Sequence, residues 1–198
     1  MFKNFFIVGM RRSGTSVLRK LLMKHPQIGD IEFEPHPLWN AVDLLHFRRW
    51  RDYPGVHKTI QEFRDKGRGD GWHGAKFALN PGVKAMEWVW LPKIFPEAKI
   101  IFIIRNPTET YKSYYKQDKN VVRGYVPERI YTDFWNIIVE GFNGYLLSNP
   151  RKACSIVYES LIKKADEELE KIWALFEIEK RSGFQKYIRK PENWSKDQ

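Results

Sequence analysis

Gly9-Met10-Arg11-Arg12-Ser13-Gly14-Thr15-Ser16 holds two glycines with four residues between them, closed by two hydroxyls. That spacing builds a phosphate-binding loop, in which backbone N–H groups turn toward an anion and the last hydroxyl completes the cradle. A loop that grips a nucleoside triphosphate has lysine just before that hydroxyl; here Thr15 stands there, and the cations Arg11 and Arg12 lie inside the loop. A second pattern is the apolar run "KIIFII", which ends in Arg105, with Ser113 eight residues further on. Magnesium-dependent nucleotide hydrolases place a carboxylate at the end of such a strand. A guanidinium there repels a metal and attracts a phosphate. The chain therefore offers an anion cradle with no metal carboxylate where one is expected, which fits a donor that gives up its group without magnesium.

The elements that must carry these residues read as an alternation of strands and helices. Asn4–Gly9 predicts a short buried strand, and Gly14–His25 a helix with Val17, Leu18, Leu21 and Leu22 on one face, stopped by His25-Pro26. The loop thus lies between a strand and a helix start, where the helix dipole favours an anion. Ile28–Phe33 reads as a second strand and Ala75–Leu79 as a third. Between them, about 35–74, a helical-looking Trp39–Arg51 and the glycine-rich "KGRGDGWHG" predict a lid or insertion with loops. A helix over Val83–Phe95 precedes the strand Lys99–Arg105, whose unbroken apolar character implies burial on both faces of a parallel sheet. Helices follow at Thr108–Gln117 and Pro127–Leu147, the latter with Ile130, Phe134, Trp135, Ile138, Phe142 and Tyr145 toward the core. Ser155–Tyr158 reads as a last strand and Leu161–Phe176 as a closing amphipathic helix. This predicts one α/β domain over 1–198, a three-layer sandwich around a central parallel sheet of P-loop type.

Composition bounds the partners. The 198 residues suffice for one sizeable core, and 42% apolar with 29% charged is ordinary for a globular chain. A net charge of +10 points to anionic partners: nucleotide, nucleic acid, or a sulfated or phosphorylated ligand. The lone Cys154 excludes an internal disulfide framework and suits a reducing, cytoplasmic compartment as a buried small residue. Phe5–Val8 is too short for a signal peptide's apolar region, and no stretch reaches the ~20 apolar residues of a membrane span, so a protein without a span is expected. The histidines show no metal-ligand spacing.

"RRSGTSVLRKLLMKHP" resembles the 5′-phosphosulfate loop of the sulfotransferases that use 3′-phosphoadenosine 5′-phosphosulfate (PAPS), closest to the branch with R-S-G-T that includes bacterial and tyrosylprotein enzymes. "FPEAKIIFIIRNPTETYKSYY" resembles the family's 3′-phosphate motif, with Arg105 and Ser113 at the matching positions, and "IVYESLIKKADEELEKIWALF" resembles the entry to its late helix. The resemblance covers most of the chain, weakly from Trp39 to Gly74 and after Phe176. It implies transfer of a sulfuryl group from PAPS to a hydroxyl or amine of a small-molecule or glycan acceptor, with PAP as product and no metal. Arg12 and the amides of Ser13, Gly14, Thr15 and Ser16 would hold the 5′ end, with Arg11 adjacent; Arg105 and Ser113 would hold the 3′-phosphate. The general base falls in "IEFEPHPLW": Glu34 first, His36 second, Glu32 third, and alternation puts Glu32 and Glu34 on one strand face. Lys76, before "FALNP" and near where relatives have a lysine–x–proline segment, reads first as a solvated lysine and second as one that faces the donor, and Arg189 and Lys190 echo a further 3′-phosphate segment. Trp39, Trp50 and Trp72 either face the acceptor or pack. Two other classes compete: a P-loop kinase or NTPase, and a non-catalytic nucleic-acid binder.

Overall fold

Strand β1 (Asn4–Met10) sends Phe6, Val8 and Met10 into one apolar cluster and Phe5 and Ile7 into another. Strand β4 (Lys99–Ile104) splits the same way, Ile100 and Phe102 to the first cluster and Ile101 and Ile103 to the second. Two cores on opposite faces explain why both strands read as unbroken apolar runs. The computed structural model describes residues 2–35, 38, 54–81, 88–118 and 126–188. Among these, five parallel strands form one sheet in the order β2-β3-β1-β4-β5, with β2 at Ile28–Phe33, β3 at Trp72–Leu79 and β5 at Ala153–Val157.

Helices cover both faces. Helix α1 (Thr15–Leu22) contributes Leu18, Leu21 and Leu22 to the second core, together with Leu169, Ile172 and Trp173 of a late helix. The first core takes Ile60 and Phe63 from α2 (Pro54–Lys66), Leu91 from α3 (Leu91–Ile94), Tyr114 from α4 (Pro107–Asp118), and Tyr131, Ile138 and Phe142 from α5 (Glu128–Ser148). The connection after β1 runs to one side of the sheet, while that from β3 crosses β1 to reach β4 on the other. The carboxyl end of β1 is therefore the topological switch point, where open α/β sheets bind ligands.

Several elements depart from their sequence reading. The insertion expected over 35–74 contains helix α2, and β3 starts at Trp72, three residues before Ala75, because the Trp72 N–H extends the sheet to the Gln27 carbonyl (2.9 Å). Trp72 packs in the core, stacked on Phe176 with centroids 4.2 Å apart; Trp39, Trp50 and the span Trp39–Arg51 lie outside the described residues. Of the helix expected over Val83–Phe95, residues 82–87 lie outside them too, and Leu91–Ile94 is helical. On α5 the buried stripe is Tyr131, Ile138 and Phe142, which leaves Ile130 at 45% exposure. β5 ends at Val157, so Tyr158 opens a helix, and the expected Leu161–Phe176 helix breaks at Lys164 into α6 (Tyr158–Lys163) and α7 (Ala165–Phe176).

Candidate functional site

The loop after β1 is fixed by its backbone. Arg11 N–H donates to the Leu79 carbonyl at 2.8 Å, which continues the β1–β3 ladder, and Ser13 N–H turns back to the Met10 carbonyl at 2.9 Å. Arg12 (φ 74°) and Gly14 (φ 99°) both occupy the left-handed region. For a non-glycine residue that conformation is uncommon, and such strain gathers at ligand sites. The two glycines have separate reasons. A Cβ on Gly9 would lie 2.6 Å from Ser13 Oγ and 2.7 Å from the Ile103 carbonyl, so Gly9 lets β4 and the turn approach. A Cβ on Gly14 would lie 2.3 Å from the ring of Tyr158. Helix α1 begins at Thr15 with no side-chain cap and no acidic residue in its first turn. Its leading amides therefore keep their donors for a ligand anion, aided by the helix dipole. Ser13 itself faces inward: its amide is used by Met10, and its buried hydroxyl finds no hydrogen-bond partner among the described residues.

The two arginine motifs, distant in the chain, meet here. Arg12 Nε donates to Ser113 Oγ at 3.2 Å, and Arg105 Nη1 donates to the Arg12 carbonyl at 3.0 Å. Arg105 lies just past the end of β4. Its guanidinium sits 4.7 Å from the centroid of Tyr158, and its carbonyl accepts from Trp135 Nε1 of α5 at 3.1 Å. Burial pushes the Tyr158 hydroxyl above its ordinary range, opposed by Arg105 and Arg12, so it stays a neutral platform. Asn106 starts α4: its Oδ1 accepts from the Glu109 N–H at 3.1 Å, with Pro107 at the first helical position. That cap sets the helix phase that turns Ser113 toward Arg12.

A third segment completes the site. Glu34 follows β2 with φ 45°, and its N–H donates to the Lys76 carbonyl at 3.2 Å. The left-handed turn breaks strand alternation, so Glu32 and Glu34 part company. Glu32 Oε1 accepts from Lys66 Nζ at 2.6 Å and from His73 Nε2 at 3.1 Å. Glu34 Oε1 instead accepts from Lys76 Nζ at 2.7 Å and lines the cavity. Lys76 corrects its sequence reading: it is 2% exposed, not solvated. Its ammonium also donates to Ser16 Oγ at 3.3 Å and lies 3.8 Å from the centroid of Phe33. Desolvation lowers its pKa, opposed by the hydrogen bond and charge of Glu34 and reinforced by Arg19 and Arg11. The signal available in the sequence was its place inside a short strand; the partners that bury it come from elsewhere in the chain.

Among the described residues, these groups surround a cavity of about 350 Å³ whose charged lining is Arg11, Arg12, Lys76 and Arg105 against Glu34 alone. Such a set suits a ligand with more than one anionic group, and Glu34 offers a nucleophile facing it a carboxylate for its proton. A second cavity of about 330 Å³ shares Val17 and Tyr158 with the first and adds Leu21, Ile162, Tyr187 and Ile188, a surface suited to a flat heterocycle. Among the described residues, no group of three or more His, Cys, Asp or Glu side chains converges as a metal ion would need. None of their helices is long and apolar enough to cross a membrane. Burial pushes the Cys154 thiol up to about 12, which leaves it a poor nucleophile. His36, Arg189 and Lys190 lie outside the described residues.

Comparison with known proteins follows the same lines. The model of the sulfotransferase domain matches residues 2–195. A sulfotransferase from Alicyclobacillus acidocaldarius superposes with a TM-score of 0.62 at 19% identity, covering 92% of this chain and 83% of the other. The sulfotransferase domain from the curacin biosynthetic pathway gives 0.61 at 14% identity, covering 93% and 77%. A mouse sulfotransferase solved in complex with PAP gives 0.57 at 20% identity, covering 94% and 63%. At these identities the structural likeness speaks for the fold. Compared sequence against sequence with curated proteins, the chain finds no match.

Proposed function

The chain belongs to the sulfotransferase domain family, and from that premise we propose that it transfers a sulfuryl group from PAPS to a hydroxyl or amine of a small-molecule or glycan acceptor. The observation that carries the reading is the meeting of Arg12, Arg105 and Ser113 above the uncapped first turn of α1, in one cavity with Lys76 and Glu34. PAPS supplies the sulfuryl group and departs as PAP, whose 5′-phosphate keeps the electron pair of the broken S–O bond. Arg12 and the amides of Gly14, Thr15 and Ser16 hold the 5′ anion, with Arg11 at the rim. Arg105 and Ser113 hold the 3′-phosphate, and the cavity bearing Tyr187 takes the base. Fixed donors aimed at the charge that develops on the bridging oxygen are each worth roughly 2.7–4 kcal/mol of barrier. Glu34 accepts the proton that the acceptor loses as its oxygen or nitrogen bonds to sulfur. The family match over residues 2–195 supports reading the chain as one such domain. A cytoplasmic setting is part of the same proposal, since one cysteine allows no internal disulfide.

The kinase reading is weakened by Thr15 at the lysine position and by Arg105 at the end of β4. Calorimetry with PAP, ATP and a short oligonucleotide, with and without magnesium, separates the classes. Selective, metal-independent PAP binding supports a sulfotransferase. Preference for ATP with magnesium overturns it in favour of a kinase, and binding of the oligonucleotide alone, steeply weakened by salt, overturns it in favour of a nucleic-acid binder.

A further inference from the structure

Lys76 touches both halves of the proposed chemistry at once. Its ammonium lies 2.7 Å from Glu34 Oε1 and 3.3 Å from Ser16 Oγ, on the first turn of α1. The lysine is buried, whereas Glu34 is 45% exposed, so the carboxylate can lose this partner to solvent more cheaply than the ammonium can lose all anions. Phe33 closes one side of the ammonium with its ring, and Arg11 from the loop and Arg19 from α1 press on it with like charge. Burial and like charge disfavour the ammonium, and Glu34 offsets them.

We propose that Lys76 is a positioning residue that holds Glu34 in an ion pair and surrenders it when a donor anion settles at the first turn of α1. The inference rests on the sulfotransferase reading. An anion seated beside Ser16 competes with Glu34 for the same ammonium. Transfer of the ammonium to that anion releases the Glu34 carboxylate from its ion pair, free to turn to the acceptor. Donor binding and release of Glu34 are then two readings of one equilibrium, reciprocal by linkage. In the donor's absence Glu34 stays engaged with Lys76.

Competition has a signature that simple repulsion lacks. Glu34→Gln removes both the rival for Lys76 and a negative charge near the donor, while Lys76→Met removes only the object of the rivalry. In calorimetry with PAP, Glu34→Gln in the wild-type background tightens binding about tenfold, and in the Lys76→Met background by no more than about twofold, a non-additivity typical of directly coupled groups. Lys76→Arg keeps a cation and restores the gain. Equal gains from Glu34→Gln in both backgrounds overturn the inference and leave the sulfotransferase reading standing. Failure of wild-type protein to bind PAP overturns that reading first.

Discussion

Replacing Gly14 by alanine tests the loop where its geometry is least forgiving. The residue sits at φ 99°, where an L side chain costs about 1–2 kcal/mol. Its new methyl would lie 2.3 and 2.6 Å from two carbons of the Tyr158 ring. That ring is buried in the second core and carries the Arg105 guanidinium 4.7 Å from its centroid, so it cannot simply swing out. Overpacking of this kind costs about 1–3 kcal/mol. The sum is roughly 2–5 kcal/mol, against the 5–15 kcal/mol typical of a folded chain, so the variant still folds. For a domain of this size each kcal/mol lowers Tm by about 2–4 °C, which gives a drop of roughly 4–20 °C. Because the ring supports Arg105 and the residue opens the helix that aims the amides, turnover also falls about 100-fold. Gly144→Ala is the matched control: it lies within α5 and its Cβ meets nothing within 4 Å, so it should stabilise by about 0.5–1 kcal/mol. Thermal unfolding followed by circular dichroism and calorimetry with PAP read both effects. A Gly14→Ala protein with wild-type Tm and wild-type PAP affinity would refute the reasoning.

Arg105→Met removes a charged donor from the cavity, and PAP affinity should fall about 10- to 150-fold, the worth of 1.5–3 kcal/mol for a hydrogen bond to a charged group; calorimetry checks it. Glu34→Gln should lower kcat about 10²–10⁴-fold while PAP still binds, whereas Glu32→Gln, whose carboxylate serves Lys66 and His73, should leave kcat alone. Full turnover in Glu34→Gln removes it as the base. Lys76→Met removes a desolvated ammonium and leaves Glu34, already half in water, to rehydrate, so the variant should fold with stability no lower than the wild type. The pH dependence follows in sign. Burial holds the Lys76 pKa below its ordinary 10.5, so between the two values the unfolded chain binds a proton that the folded chain does not, and the contribution to stability rises with pH. Urea titrations at several pH values should show that rise flattened in Lys76→Met.

The glycine spacing, the strand Lys99–Ile104 and the placement of Arg105 and Ser113 were legible because each depends on neighbours in the chain. A phosphate loop needs fixed intervals, and a buried parallel strand needs an unbroken apolar run. Helix α2 was missed because Ile60 and Phe63 supply its described core contacts from an otherwise polar face. The phase of α5 was off by one residue at Ile130, since Tyr131 is as apolar in its ring as the isoleucine beside it and only the packing of Tyr111 and Tyr114 against it decides.

The sequence by itself determined a glycine loop with the spacing of a phosphate cradle, an arginine inside it and another at the end of a buried strand, and the family resemblance added a segment expected to carry the base. Whether Glu32 or Glu34 faces the cradle was decided by one left-handed residue at the end of β2, which alternation could not anticipate. The role of Lys76 was decided by Ser16, Phe33 and Glu34 converging on it from two other segments. Backbone intervals are local and can be counted along a chain. The burial and pairing of a charge depend on which distant segments the sheet brings beside it, and that is settled only when the fold closes.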